Sequence, residues 1–289
     1  MRAVPSPESG YVIVVRIPRS YNQPHRVIHS NSNRFWARSP ASPKRYEPNV
    51  EELRRIFNEA PLTAERIRAF RTDRIVKIAA QDAPVPLAGN CLLVLHVVPY
   101  SSVGIATSLS VADLENKWMA FPPLGRGHAA LRHVNFDGFL VLPGHHPQTA
   151  IHAYAQVFRS GIVEAASTVD RSDGAVLASN LDKYCVASTK TYVDALTQCG
   201  VGFPVAVLAS LLGVKGRSLE SGLDGLYPPY GEQQIDRDQL HFSECILGSL
   251  QHNYTDCALG LKRLLEQIWN TAGFADQQTI KNDGWIFGS

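Results

Sequence analysis

The chain has 289 residues, 45% of them hydrophobic and 19% charged, with a formal net charge of +2. These values exclude a disordered or fibrous chain and leave room for a sizeable core in one or two domains. The charge is unevenly spread: Met1 to Ile78 holds 15 Lys and Arg against 7 Asp and Glu, while Ala79 to Ser289 holds 13 against 19. A net of +8 followed by −6 suits either a polyanion partner or a solvated basic face that balances the acidic remainder.

In chain order, Met1 to Gly10 is rich in Pro and Ser and reads as a loose end. Tyr11 to Ile17 reads as a buried strand stopped by Pro18. Arg26 to His29 and Arg34 to Arg38 read as a hairpin whose turn is Ser30-Asn-Ser-Asn33. Asn49 with Glu52 three residues on marks a capped helix start, followed by a stripe of Val50, Leu53, Ile56 and Phe57. Pro61 is expected to break that helix, and Thr63 to cap a second one running to Ala80. Gln81 to Asn90, with Pro84, Pro86 and Gly89, reads as a domain boundary.

Beyond it, Cys91 to Val98 is a strong strand, Ser110 to Glu115 a short helix, and Phe121 to Asn135 irregular. Gly138 to Leu142 is a strand, and Ala150 to Val157 pairs with Ile162 to Ala166 around Arg159-Ser-Gly161. Leu181 to Cys199 is a helix with Leu181, Tyr184, Cys185, Ala195 and Leu196 inward and Gly200 at its end. Pro204 to Leu212 is a buried strand and Gly213 to Gln239 a loop. Ala258 to Asn270 is one helix with Leu259, Leu264, Leu265 and Ile268 inward and Gly273 beyond it.

Five cysteines, an odd count with no C-x-x-C pair, argue against a disulfide framework and a zinc site and fit reduced thiols in a cytoplasmic protein. The first fifteen residues lack the apolar stretch of a secretory signal. The apolar run Val201 to Val214 falls short of the ~20 residues that span a bilayer, so no membrane association is expected. The histidines show no compact ligand spacing, and no metal or other cofactor is expected. No Walker A loop or G-x-S-x-G motif is present, so no catalytic residue is assigned. Asp236, Asp238 and Glu244 read either as carboxylates for a hydrolytic metal or as solvated acids.

The strongest chemical pattern lies in the second hairpin strand. Residues two apart share a strand face, so Arg34, Trp36 and Arg38 line one side while Phe35 and Ala37 take the other. Two guanidiniums flanking an indole offer phosphate donors beside a stacking platform, a combination found in single-stranded nucleic-acid binders. Arg16, Arg19, Arg26 and His29 widen the patch. The alternative is a solvated strand face on which arginine stems cover the Trp. Arg66, Arg68, Arg71, Arg74 and Lys77 on the following helix read as a solvated helix face.

The runs Val12 to Ser20, Gln23-Pro-His25, Asn33-Arg-Phe-Trp-Ala-Arg38 and Val50 to Arg55 resemble the last third of the Schlafen-like AlbA-type DNA-binding domain of bacterial proteins. Members of that family carry a strand ending in Val-Pro-x-Ser, a Pro-His or Pro-Tyr step, and a strand like Arg-Phe-Tyr-x-Arg, whose aromatic position Trp36 takes. Glu65 to Arg71, Gln156 to Glu164, Leu211 to Gly216 and Gln267 to Gly273 are similar to a C-terminal extension of a bacterial subset. The family's opening strand, helix and Gly-rich turn have no counterpart here. Nor do the residues behind its ATP-binding label or the nuclease carboxylates of animal Schlafens. The resemblance therefore implies a truncated member, a mis-started reading frame or the second half of a split protein.

The fold expected is α/β, mixed α+β. Residues 1–47 form the tail of an AlbA-like sheet, 48–80 a helical connector, and 81–289 a second α/β domain. The function expected is DNA or RNA binding, in regulation or defence, through Arg34, Trp36, Arg38, Arg16, Arg19 and Arg26. The alternatives are an ATP-binding or nuclease-type enzyme that needs the absent half, and a protein-interaction module with a protein partner or a second copy of itself.

Overall fold

The structure is a computed structural model, and it describes residues 2–5, 10–14, 23–29, 32–38, 44–103, 108–125, 129–144, 151–171, 174–229, 231 and 233–288. The chain is a mixed α/β protein that forms two compact units, Met1–Ala64 and Glu65–Ser289. The division falls inside the long helix of the segment expected as a connector.

Among the described residues, the smaller unit holds three two-stranded antiparallel sheets. β1 (Arg2–Pro5) pairs with β2 (Tyr11–Val14), β3 (Arg26–His29) with β4 (Ser32–Phe35), and β5 (Ala37–Arg38) with β6 (Arg45–Tyr46). Two expectations are corrected here. The chain before Gly10 contributes a strand, and β2 is not buried, with Tyr11, Val12 and Ile13 all more than half exposed. Pairing with β1 takes up the backbone groups on one edge of β2 without covering the side chains of Tyr11, Val12 and Ile13. The β3–β4 register sets His29 opposite Ser32, so Ser32 and Asn33 belong to the strand rather than to the expected turn.

α1 (Val50–Ala79) is continuous through Pro61, contrary to the expected break. Its start is the anticipated capping box: Glu52 N–H donates to Asn49 Oδ1 at 2.8 Å and Asn49 N–H donates to Glu52 Oε2 at 3.0 Å. Proline inside a helix forfeits one backbone bond and costs about 3 kcal/mol. Anchors on both sides outweigh that loss. Phe57 meets Phe35 edge to face at 5.7 Å before the proline, and Ile67, Ile75 and Ile78 are buried after it.

The larger unit is built on an eight-stranded antiparallel sheet. Its strands are β7 (Leu92–Pro99), β8 (Leu131–Val134), β9 (Gly138–Leu142), β10 (Ala153–Phe158), β11 (Val163–Thr168), β13 (Val205–Leu212), β15 (Gln239–His241) and β16 (Cys245–Leu247). The order is β15-β13-β7-β11-β10-β9-β8, with β16 also paired to β13. The remaining elements are α2 (Val111–Glu115), β12 (Val176–Leu177), α3 (Ala178–Gln198), β14 (Leu219–Glu220), α4 (Tyr254–Gly260), α5 (Lys262–Thr271), β17 (Ile280–Lys281) and β18 (Gly284–Trp285).

Both sheet faces are covered, which explains why β7 and β13 are almost wholly apolar, interrupted only by the buried His96 and Ser210. Leu93, Leu95 and Val97 join the main core with Leu181, Cys185, Leu264 and Ile268 of α3 and α5. On the other face Val94, Leu140, Tyr154 and Ala166 meet Ile75 and Ile78 of α1, with Val85 and Leu87 of the supposed boundary segment packed alongside. β8 lies within the stretch expected to be irregular. The single helix expected over 258–270 is two, interrupted at Leu261, and Leu259 is exposed. A side chain on Gly260 would press to 2.6 Å from Leu247, so the glycine lets α4 approach β16 closely at that break.

Candidate nucleic-acid interface

The smaller unit's hairpins are tied to the first half of α1 by short local anchors. Phe35 packs on Phe57, Gln23 Nε2 donates to Glu59 Oε2 at 3.1 Å, and Tyr46 Oη donates to Glu52 Oε1 at 3.4 Å. Phe35 thus faces α1, as the alternation of strand residues requires.

The alternation does not carry through to Arg38. The strand stops at Trp36, and β4 and β5 belong to separate two-stranded sheets. One segment, β6 with the residue after it, meets both halves. Arg34 Nη1 donates to Glu47 Oε2 at 2.9 Å, and the Arg45 guanidinium lies 4.6 Å over the Trp36 ring. Arg38 stands directly opposite Arg45 in the β5–β6 register. Arg45 is therefore a member of the cluster that the period-two pattern missed. The Arg-Tyr pair after Pro43 and Lys44 was its available signal.

Arg26 is exposed on β3 but pairs with Phe35, while Arg34 pairs with Val27, so Arg26 and Arg34 take opposite faces of their hairpin. His29 is exposed at the end of β3. Arg16 and Arg19 lie outside the described residues.

The arginines of α1 are only partly a solvated face: Arg66 and Arg68 are exposed although bonded, Arg71 is half-buried and Arg74 is buried. Arg68 makes a bidentate pair with Glu244, Arg71 donates to the Phe242 carbonyl at 3.0 Å, and Arg66 donates to the Val103 carbonyl at 3.2 Å. Arg74 is 7% exposed and grips Glu164 of β11 through two bonds of 2.7 and 2.9 Å. The same carboxylate takes Tyr154 Oη at 2.9 Å and faces His96 Nε2 at 3.0 Å. Burial alone would raise the Glu164 carboxyl. The bonds from Arg74 and His96 outweigh burial and hold it at about 2. Glu164 and His96 have no solvent exposure, so this cluster docks α1 on the sheet and is closed to any substrate.

Of the acids considered as metal carboxylates, Glu244 is taken by Arg68 and Asp236 by its neighbour Arg237. Among the described residues, no group of three or more His, Cys, Asp and Glu is placed to hold a metal ion. The five cysteines are unpaired and four are buried; burial pushes the thiols of Cys91 and Cys257 up to about 12. Among the described residues, no helix is long and apolar enough to cross a membrane. Comparison with protein-family models, curated proteins and solved structures gave no match.

Proposed function

We propose that residues 1–64 are a sequence-tolerant nucleic-acid-binding unit, in keeping with the resemblance of their motifs to the Schlafen-like AlbA-type domain. The observation that carries this reading is the direct pairing of Arg38 with Arg45, with Arg45 lying over Trp36. Like charges directly opposite in a two-stranded ladder repel, and a phosphate between them removes the repulsion. A base of any identity can stack on an indole, and here it takes the place of the Arg45 guanidinium over the Trp36 ring as Arg45 turns to phosphate. This unit has ten Lys and Arg against five Glu, so its field favours approach of a polyanion. A single strand fits better than a duplex, because stacking on Trp36 needs an unpaired base.

The test is a fluorescence-anisotropy titration of the full chain with labelled oligo-dT and oligo-U at low salt. Binding of at least one oligomer is expected, with Arg38→Ala and Arg45→Ala each weakening it. Trp36→Ala is expected to remove about 1–3 kcal/mol of stacking energy. Absence of binding to both oligomers, or variants that bind as the parent does, would overturn the reading.

A further inference from the structure

Asp182 lies near the start of α3 with no solvent exposure, and two other parts of the chain converge on it. Trp269 of α5 donates its indole N–H to Asp182 Oδ2 at 2.7 Å, and the Thr279 hydroxyl donates to the same oxygen. Asp182 Oδ1 is buried and has no hydrogen-bond partner. Trp269 and Thr279 are themselves completely enclosed. A carboxyl with both donors on one oxygen and the other oxygen bare is arranged for the neutral acid. When ionised, it leaves charge on Oδ1 with nothing to solvate it.

Thr279 belongs to the segment 272–287 that follows α5. That segment has its own internal order: Gln277 Oε1 accepts the N–H groups of Thr279 and Ile280 at 2.9 and 2.6 Å, and β17 pairs with β18. It is held to the rest of the unit by burial of Phe274, Ile280 and Trp285 in the main core, by the Trp269–Phe274 edge contact, by Trp285 N–H on Thr255 Oγ1 at 3.3 Å, and by Lys183 over the Phe287 ring at 4.0 Å. Asp182 fastens its middle to α3.

We propose that Asp182 is a proton-operated clasp on the segment 272–287, closed while the carboxyl is neutral and loosened when it ionises. Burial raises this carboxyl to about 7, against the opposing pull of the bonds from Thr279 and Trp269, and no charged side chain enters the balance. The titratable groups facing this part of the core are Cys185 on the same helix, Cys257 on α4 and Cys245 on β16. Burial raises all three thiols, so they stay neutral across the working range. The side chains that α5 and the segment bring to Asp182 are Trp269 and Thr279, which hold no charge there.

With the segment open, Asp182 meets water and titrates as an ordinary carboxyl. The closed form holds the proton more tightly, so closure is strongest at acid pH, weakens as pH rises, and levels off once pH passes about 7. Each pH unit inside that window raises the opening constant by up to about tenfold. Hydrogen exchange of the full chain at pH 5 to 8, corrected for intrinsic rates, reads this opening at residues 279–287. The expected result is a rise of up to about 100-fold between pH 5 and 7, then a plateau. Asp182→Asn keeps a neutral group with one oxygen for Trp269 and Thr279, and its profile should be flat. A flat profile in the parent, or a slope retained in Asp182→Asn, overturns the proposal. Should that variant fail to fold, the Trp269 indole N–H resonance of the parent serves instead. A shift with a midpoint near pH 7 supports the clasp, and no shift between pH 5 and 9 overturns it.

Discussion

Glu164 and Arg38 show the two ways in which charged side chains are used in this chain. Glu164 is buried without exposure and surrounded by Arg74, His96 and Tyr154, so its charge is matched by donors from α1 and from neighbouring strands. Arg38 is exposed and faces Arg45, a like charge, across a short ladder. The first arrangement stabilises the fold, and the second leaves a charge that a ligand can satisfy. Removing one partner of a buried pair strands the other, so Glu164→Ala is expected to lower stability by about 3–5 kcal/mol. A urea-denaturation midpoint shifted by much less than that would show that Arg74 finds another partner or reaches water. Arg38 was already a candidate phosphate contact in the sequence, but the role of Glu164 was not visible there. Glu164 interrupts an apolar strand and gives no sign of its partner 90 residues away, and the α1 arginines looked solvated because spacing alone does not reveal what a helix lies on.

Among the elements, those with strong local signals were legible. The Asn49–Glu52 capping box, the short helix capped by Ser110, the β10–β11 pair around Arg159-Ser-Gly161 and the strand Gly138–Leu142 all stand where the residues placed them. The Asn49 cap is worth about 1 kcal/mol to the start of α1. Asn49→Ala should therefore speed amide exchange over residues 50–53 about fivefold without altering residues 65–79. Equal rates in parent and variant would show that the hairpin anchors alone hold the helix start. The signals that misled were those that tertiary contacts override. Pro61 sits in a helix held on both sides of it, and Leu261 breaks an otherwise helical run where Gly260 closes on Leu247. Trp36 ends a strand that its alternation would have continued, and Arg45 takes the place over its ring.

At the scale of the whole molecule, the charge asymmetry and the mixed α/β class were legible, and the sheet order was not. Strands β13 and β7 pair along their full length although more than a hundred residues separate them, and such pairing leaves no local mark. The basic residues of the first quarter divide into two groups. Among the described residues, Arg66, Arg68, Arg71 and Arg74 of α1 bond to other parts of the larger unit, and Arg34, Arg38 and Arg45 stay exposed near Trp36. The polyanion reading therefore rests on the hairpin group alone. Its most direct test is the salt dependence of single-strand binding by the full chain. Neutralising three phosphates through Arg38, Arg45 and an Arg34 that exchanges Glu47 for phosphate requires log K to fall against log salt with a slope of about −2. Replacing Arg38 and Arg45 together by Ala should bring that slope close to −0.7. Affinity indifferent to salt, or a slope unchanged in the double variant, would contradict the account.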